Sequence, residues 1–343
     1  MKTFVTGATG FIGSTVTGRL LDRGEELKLL VRPESDVRRI QGLDVEVVEG
    51  DIRDASKMAG ALKGCDRVYH VAGLYRLFGD QELFDQVNVQ GAVNVIRAAK
   101  AAGVERVVYT SSVAAVGAAP DHGLADEETE WNLDSLGIPY VTSKWRAEQR
   151  AVEEAGEDLE LVVVNPAGPI GAGDFNPTPT GHIVLQYLRG KMPFVPVALN
   201  NFVDVDDVAE GHLRAMDKGR AGQRYILGGH NMTTKELLDA AARVTGLRRP
   251  WALPYLFAYL GGLAGQLFVQ GVLRRPCMLN LANVRLLRQR FFFSIDKARN
   301  ELGWDPGSIE TALAKSAHWF CENGYVSKRR SRKILARLEG EAK

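Results

Sequence analysis

The stretch FVTGATGFIG, residues 4–13, decides the fold of this 343-residue chain. A β-rich run, KTFV, precedes its glycines, and a helical pattern from about Ile12 to Arg23 follows them. Glycines permit a tight turn and close backbone approach, while the amino end of a helix offers N–H groups and a positive dipole to a pyrophosphate. A strand before and a helix after make such a glycine triplet a dinucleotide-binding turn. The predicted contacts are Thr6, Gly7, Thr9, Gly10, Phe11, Ile12 and Gly13.

Strands and helices alternate through the first half of the sequence. A long helical pattern, VNVQGAVNVIRAAKAAG, separates two of the β-rich runs LKLLV, VEVVEG, DRVYHVAG, RVVYTSS and LELVVVNP. Strands that alternate with helices of this length are typical of a parallel sheet covered on both faces. We therefore predict an α/β fold with a doubly wound parallel sheet.

The alternation loosens after Pro166, where AGPIGAGDFNPTPTG predicts an ordered loop. The later runs FVDVDDVAEGHL and RYILGG indicate that the chain returns to the sheet, so two domains are interleaved. We predict a dinucleotide-binding domain of residues 1–166 plus about 203–229. A smaller, mainly helical substrate domain takes about 167–202 plus 230–325, and residues 326–343 form a basic tail.

The composition is that of a globular protein without a strong charge. The formal net charge of +1 gives no reason to expect a nucleic-acid partner. Cys65, Cys277 and Cys321 lie far apart without metal-ligand spacing, which favours structural thiols in a reducing compartment and no metal site. The amino terminus reaches its glycines too soon for the apolar segment of a signal peptide. We expect a cytoplasmic protein.

Two features of the carboxy-terminal third bear on membranes. No charged residue occurs from Pro250 to Leu273, a length that could span a bilayer, but Pro254 and several glycines interrupt it. A buried helical pair or an apolar substrate wall is the favoured interpretation, with a helix on the membrane surface as the alternative. The tail, VSKRRSRKILARLEGEAK, is either a solvated tail or a contact for anionic lipid. Together they predict peripheral association with the cytoplasmic face of a membrane.

Arg32 follows the second β-rich run, where the adenine ribose should lie. An acidic residue there would bind the ribose 2′-hydroxyl and favour NAD, whereas a guanidinium suits a 2′-phosphate. Arg38 and Arg39 are near in sequence. We predict a preference for NADP(H), with NAD(H) as the alternative.

Tyr140 and Lys144 are four positions apart in PYVTSKWRAE, which places both on one face of a helix. A lysine ammonium beside a phenol lowers the phenol pKa and makes it a usable proton donor and acceptor. Ser112 ends a buried strand 28 residues earlier, where doubly wound sheets hold their ligands. The three predict an acid/base site that acts on an alcohol or a carbonyl group.

The sequence resembles the extended short-chain dehydrogenase/reductases, which have a Rossmann fold, from TGATGFIG through VDDVA to ARNELGW. The resemblance implies a catalytic triad of Ser112, Tyr140 and Lys144, with Lys144 also holding the nicotinamide ribose. It implies that Asn88 supports the active-site strand, and it suggests a homodimer. Beyond the glycine turn, the predicted cofactor contacts are Arg32, Asp51, Ile52, Val71, Ala72, Gly73, Tyr140, Lys144 and Pro166.

Within that family the chain is most similar to the group of hopanoid-associated sugar epimerases and dihydroflavonol 4-reductases. VNPAGPIGAGDFNPTPTGHIV, MPFVPVALNNFVDVDDVAEGHL and RYILGGHNMT carry this resemblance. The leading hypothesis is an NADP(H)-dependent oxidoreductase that transfers a hydride to or from an alcohol or ketone of a terpenoid, hopanoid or sterol-like substrate.

Three other functions stay open in the sequence. A nucleotide-sugar epimerase with tightly bound NAD would use the same triad, with Arg274 and Arg275 for the nucleotide. A non-catalytic NADP(H)-binding sensor or scaffold is a third hypothesis. A sugar dehydratase is disfavoured, because such enzymes place acidic residues where this chain has Val113 and Ala114.

Overall fold

Strands from the first 227 residues form one seven-stranded parallel sheet in the order β10-β6-β5-β4-β1-β2-β3. The computed structural model describes residues 1–76, 79–120, 122–267 and 280–341. In chain order the strands are β1 Lys2–Thr6, β2 Glu26–Val31, β3 Glu46–Glu49, β4 Arg67–His70, β5 Arg106–Thr110, β6 Glu160–Pro166, β7 Gly168–Ile170, β8 Phe194–Pro196, β9 Leu199–Asp204, β10 Arg224–Leu227, β11 His230–Thr233 and β12 Trp251–Leu253. The predicted α/β, doubly wound fold is confirmed.

The helices cover both faces of this sheet and extend beyond it. They are α1 Phe11–Asp22, α2 Ala55–Ala61, α3 Gln81–Phe84, α4 Gly91–Ala102, α5 Pro139–Ala155, α6 Pro179–Leu188, α7 Val205–Lys218, α8 Thr234–Thr245, α9 Tyr255–Ala264, α10 Leu281–Leu286, α11 Ile309–Glu322 and α12 Lys328–Glu341. A π-helical turn, Asp85–Gln90, joins α3 to α4, and two 3-10 turns, Val113–Ala115 and Asp134–Leu136, lie between β5 and α5.

Alternation along β1 explains how both faces become covered. Successive side chains of a strand point to opposite faces, so Val5 joins the core beneath α1 and α7 while Phe4 joins the core beneath α2, α4 and α5. Both side chains are fully buried. A strand buried on both faces reads as a continuous apolar run, as these strands do.

The order of strands reverses direction between β1 and β4. From β1 the chain builds outward to β2 and β3, and then crosses to β4 and builds the other way. Ligands of doubly wound sheets bind at the carboxyl ends of the strands at such a switch point. The glycine turn follows β1 at this position.

The part of the chain after Pro166 adds two small sheets and a third apolar core. The sheets have the orders β11-β9-β7 and β12-β8, and helices α6, α8, α11 and α12 enclose the core. Strand β10 returns to the large sheet beside β6, as RYILGG indicated. The residue limits proposed for two interleaved domains stay a prediction.

The carboxy-terminal segment differs from the solvated tail expected of its charge. Residues Lys328–Glu341 form helix α12, which packs against α8 and α11. Ile334 is fully buried in the third core, and Arg330 Nε donates to the Leu188 carbonyl at 2.8 Å. The expectation of a solvated tail is therefore wrong. Apolar residues at helical spacing hold this basic segment against the third core.

The uncharged stretch from Pro250 is likewise not a buried helical pair in the part described. Helix α9 buries Ala258 and Gly262 but leaves Leu256, Phe257 and Leu260 more than half exposed. Within the described ranges, no helix combines the length and apolarity needed to cross a bilayer. Residues 268–273, together with Arg274, Arg275 and Cys277, lie outside the described residues.

Helix α12 offers a direct test of its packing. Ile334→Ala should lower the free energy of unfolding by about 2–5 kcal/mol, because it leaves a cavity in the third core. Arg332→Ala on the exposed side of the helix is the matched control and should stay within about 0.5 kcal/mol of the parent. Urea unfolding of the full chain measures both. An Ile334→Ala midpoint equal to that of the parent would contradict the packing of α12.

Candidate active site

The glycine turn fits a dinucleotide because it has no room for side chains. Gly7 has a φ of +77°, and a Cβ there would lie 2.6 Å from the Ala72 nitrogen. A Cβ on Gly13 would lie 2.1 Å from the Gly7 carbonyl oxygen. Gly10 precedes α1, and no side chain in the described part of the chain caps that helix. The N–H groups of its first turn are thus available to a pyrophosphate.

Thr6 braces this turn from below. Its side chain is fully buried, and its Oγ1 lies 2.7 Å from His70 Nδ1 and accepts from the Ala72 N–H at 3.2 Å. Burial lowers the pKa of His70 to about 3, so the imidazole is neutral. The structure therefore places the Thr6 side chain in the support of the turn and ties the end of β1 to the loop that carries Val71, Ala72 and Gly73.

At the expected adenosine end, Arg32 is exposed directly after β2. Its Nη1 lies 3.5 Å from Glu34 Oε1, and this solvated contact leaves the guanidinium free to reorient. The Asp51 carboxylate accepts from Arg53, which lowers the pKa of Asp51. The Ile52 side chain is buried beneath α4, so it lies in the core.

Arg39 is better enclosed than Arg32. Its Nη1 donates to Ser14 Oγ on α1 at 3.1 Å, and its guanidinium lies 4.9 Å from the centre of the Phe175 ring. Arg38 lies equally close to that ring and pairs with Asp36. The sequence placed both arginines near the cofactor region but gave no sign that Arg39 would bridge α1 to the loop after β7.

Ser112 and Tyr140 meet through their side chains. Ser112 follows β5 and its Oγ accepts from the Ala114 N–H at 3.2 Å, while Tyr140 lies in the first turn of α5 with its phenol close to the Ser112 hydroxyl. Burial raises the pKa of Tyr140 to about 12, and the nearby Ser112 hydroxyl opposes that rise. We expected Lys144 to lower this pKa; the structure shows the opposite, because desolvation penalises the phenolate.

Lys144 lies one helical turn further along α5 and is buried. Its Nζ donates to the Thr110 carbonyl at 2.9 Å, and a Cβ on Gly73 would lie 3.8 Å from the same Nζ. Burial lowers the pKa of Lys144 to about 8, and the carboxylate of Glu148 opposes that shift. The ammonium is therefore charged at neutral pH but close to losing its proton.

Asn88 joins the loop after β4 to helix α5. Its Oδ1 accepts from the Leu74 N–H at 2.7 Å, and its Nδ2 donates to Ser143 Oγ at 2.9 Å. Ser143 lies beside Lys144, so Asn88 braces the catalytic helix. We expected it to support the active-site strand; its hydrogen bonds go to the loop and to α5 instead. Pro166, the last cofactor contact predicted, is buried at the end of β6.

Two residues of the cleft were missed in the sequence. The Tyr75 ring lies 4.7 Å from the Tyr140 ring, and its hydroxyl lies near Thr180. Asp174 is buried, with one oxygen bonded to Thr178 and the other without a partner in the described part of the chain. Burial raises the pKa of Asp174 to about 6. Both residues lie in loops, where no periodicity marks a side chain as part of the cleft.

The Tyr140 ring packs against a fourth apolar cluster. Its buried members include Leu136, Ile138 and Val141, and helix α10 adds Ala282 and Leu286. Trp131 and Trp145 stack beside them with ring centres 4.5 Å apart. An apolar wall thus lies next to Tyr140, but the described part of the stretch from Pro250, for which a wall was predicted, does not contribute to this cluster.

Comparison with known proteins agrees with this architecture. Residues 3–228 match the sequence model of the NAD dependent epimerase/dehydratase family. The chain is 39% identical to the putative dihydroflavonol 4-reductase of Synechocystis sp., a match that covers 94% of this chain and 95% of that protein. It is 38% identical to sterol demethylase protein B of Methylococcus capsulatus, with coverage of 95% and 100%.

A solved structure gives the same result in three dimensions. A nucleoside-diphosphate-sugar epimerase from Pseudomonas aeruginosa, 26% identical, superposes with a TM-score of 0.79 over 95% of this chain and 99% of its own. Family match, identity and fold agree over nearly the whole length. The chain therefore belongs to the NAD dependent epimerase/dehydratase family, within the extended short-chain dehydrogenase/reductases, and is an NAD(P)-dependent oxidoreductase.

Proposed function

We propose that the protein is an NADP(H)-dependent oxidoreductase that interconverts an alcohol and a ketone on a hydrophobic, terpenoid or sterol-like substrate. The closeness of the Ser112 and Tyr140 side chains, with the buried Lys144 one turn away, carries this proposal. Two hydroxyl groups at such close range support contact of both with one substrate oxygen. The glycine turn and the amino end of α1 would hold the cofactor pyrophosphate, and Lys144 the nicotinamide ribose.

When bound, NADP(H) supplies the hydride for reduction of the carbonyl carbon or takes it up in the reverse direction. Ser112 donates a hydrogen bond to the carbonyl oxygen, and Tyr140 donates its phenolic proton as charge develops there. The raised pKa of Tyr140 keeps that proton in place before the substrate binds. The charge on Lys144 stabilises the phenolate that remains.

The surroundings of Tyr140 support a hydrophobic substrate. Leu136, Ile138 and Val141 line its ring with aliphatic carbon, and Tyr75 covers it with an aromatic face. Sugars need polar partners around each hydroxyl, which such a wall does not offer. Sterol demethylase protein B and the putative dihydroflavonol 4-reductase both match over nearly the whole chain; the first name refers to a sterol and the second to a reductase.

A nucleotide-sugar epimerase is the second candidate. A cavity of about 630 Å³ between α9 and α10 is lined by Arg285 and Arg288, which are suited to a diphosphate. The solved epimerase from Pseudomonas aeruginosa shares the fold over nearly the whole chain. Tightly retained NAD⁺ in the purified protein, with turnover of a nucleotide sugar, would favour this candidate over the first.

Tyr140→Phe should reduce kcat/KM for ketone reduction by about 10²–10⁴-fold, because the proton donor is lost. NADPH affinity should stay within about threefold, since the ring and its packing remain. Tyr187→Phe, which removes a buried phenol distant from Ser112, is the control and should keep full activity. Steady-state loss of NADPH absorbance measures turnover. Unchanged turnover in Tyr140→Phe would refute the mechanism and raise the sensor hypothesis.

Arg32 should make the apo-protein bind NADPH more tightly than NADH. Arg32→Gln should weaken NADPH binding by about 10–100-fold, because a charge-assisted bond to the 2′-phosphate is lost, and leave NADH within about threefold. Arg97→Gln, an exposed arginine on α4, is the matched control. Fluorescence titration of both cofactors measures the effect. Equal affinities for NADH and NADPH in the parent would contradict the predicted preference.

Ketone reduction should slow at alkaline pH. The pKa of Lys144 is lowered to about 8, so its charge is complete below that pH and is lost above it, where the rate should fall about tenfold per pH unit. Glu148→Gln removes a carboxylate that raises this pKa, so the fall should begin at lower pH. Glu153→Gln, on the exposed side of α5, is the control and should leave the pH at which the rate falls unchanged. A pH–rate profile that Glu148→Gln does not shift would contradict the role of Lys144.

A further inference from the structure

We propose that this protein docks on an anionic lipid bilayer through one surface, formed by Phe194, Trp251, Leu256, Phe257, Leu260 and Leu267. We call these six residues the apolar surface. In the described part of the chain, eight large hydrophobic side chains are more than half exposed, and six of them belong to it. The other two are Met1 and Val47. Exposure on this scale in one region marks an interaction site.

The exposed residues of α9 share one face of the helix. At about 100° per residue, Leu256, Phe257, Leu260 and the exposed Ala264 fall within an arc of about 100°. The buried Ala258 and Gly262 lie on the opposite side. A helix that buries small residues inward and presents large apolar ones outward is suited to lie in a membrane interface.

Two aromatic side chains extend this surface at the strand before α9. Trp251 pairs in register with Phe194 in the parallel pair of β12 and β8, so both side chains stand on the same face of that small sheet. Trp251 is 74% exposed and Phe194 55%. Tryptophan is enriched at the boundary between lipid and water, because its ring is apolar and its N–H is polar.

The stretch of sequence that contains α9 carries only positive charges. Residues 240–295 contain eight arginines and no lysine, aspartate or glutamate, a charge of +8 in a chain of net +1, so the rest carries −7. Arg248, Arg249, Arg285 and Arg288 are exposed, and none pairs with a carboxylate of the described residues. Apolar side chains among unpaired arginines match the acyl chains and anionic headgroups of a bilayer.

The same charges disfavour a second copy of the chain as the occupant. A two-fold interface brings the same patch of both subunits together, so these arginines would face each other without acidic partners. Helix α12 is disfavoured as the lipid contact for another reason. Its exposed side is basic, but none of its described residues is an exposed large hydrophobic side chain. Without such a side chain, α12 has nothing to insert into the bilayer.

Docking here would bring the bilayer close to the substrate side of the site. The cavity between α9 and α10 is lined by Tyr255 and Tyr259 from α9 and by Leu136, which also belongs to the cluster around Tyr140. The link between docking and the active site rests on the proposed function, whereas docking itself does not. A chain that binds vesicles but reduces no hydrophobic ketone would leave docking intact and overturn the reaction.

Sedimentation with vesicles tests the docking. The full chain should sediment with vesicles of phosphatidylcholine and phosphatidylglycerol at low salt, and much less with phosphatidylcholine alone or at high salt. Phe257→Ser with Leu260→Ser, and separately Arg248→Gln with Arg249→Gln, should each lower the partition coefficient by about tenfold or more. The matched pairs Val47→Ser with Leu124→Ser, and Arg329→Gln with Arg332→Gln, should stay within about twofold.

Three results would overturn the proposal. The first is a parent chain that does not sediment with anionic vesicles at low salt. The second is a Phe257→Ser with Leu260→Ser variant that binds these vesicles as tightly as the parent. The third is that this double variant converts a dimer to a monomer in analytical ultracentrifugation while vesicle binding is unchanged, which would assign the surface to a second copy. Circular dichroism of each variant shows that a loss of binding is not a loss of fold.

Discussion

The fold and the site depend on one close backbone approach, between the glycine turn after β1 and the loop after β4. Because Gly7 lies against Ala72 with no room for a Cβ, the two strand ends converge and α1 begins directly above them. The loop that leaves Ala72 then passes Gly73 across the Lys144 ammonium and brings Tyr75 onto the Tyr140 ring. The turn thus positions both the cradle for a pyrophosphate and one wall of the acid/base site.

Burial then decides the electrostatics of that site. It raises the pKa of Tyr140 and lowers that of Lys144, because a medium that solvates charge poorly favours the neutral form of each. The Thr110 carbonyl and the Glu148 carboxylate keep the lysine from losing its charge altogether. A protonated phenol one helical turn from an ammonium near its pKa suits the proposed reduction, in which the proton leaves the tyrosine.

Much of this arrangement could be predicted from sequence because it follows periodicity and strand ends. The turn and the alternation of strands with helices each follow from a local pattern placed in a parallel sheet, and the same patterns predict that Ser112 and Tyr140 lie near each other. The sign of the Tyr140 pKa shift could not be predicted, since spacing shows which groups are near but not how far water is excluded. Tyr75 and Asp174 could not be found either, because loops have no period that reveals which side chains belong to the cleft.

The carboxy-terminal third shows a further limit of composition. A long uncharged run in a sequence does not show whether the run is buried. The sequence from Pro250 could not distinguish a buried pair of helices from a helix with an exposed apolar face. In the structure, α9 buries only its small residues. The net charge of the chain likewise does not show how its charges are distributed. Residues 240–295 contain eight arginines and no acidic residue, and an excess of acidic residues in the rest of the chain offsets them. A hydrophobic substrate partitions into membranes, so an enzyme that uses it gains from contact with that reservoir. Leu136 lines both the cavity under α9 and the cluster around Tyr140, and this shared wall links a surface suited to lipid with the proposed proton donor.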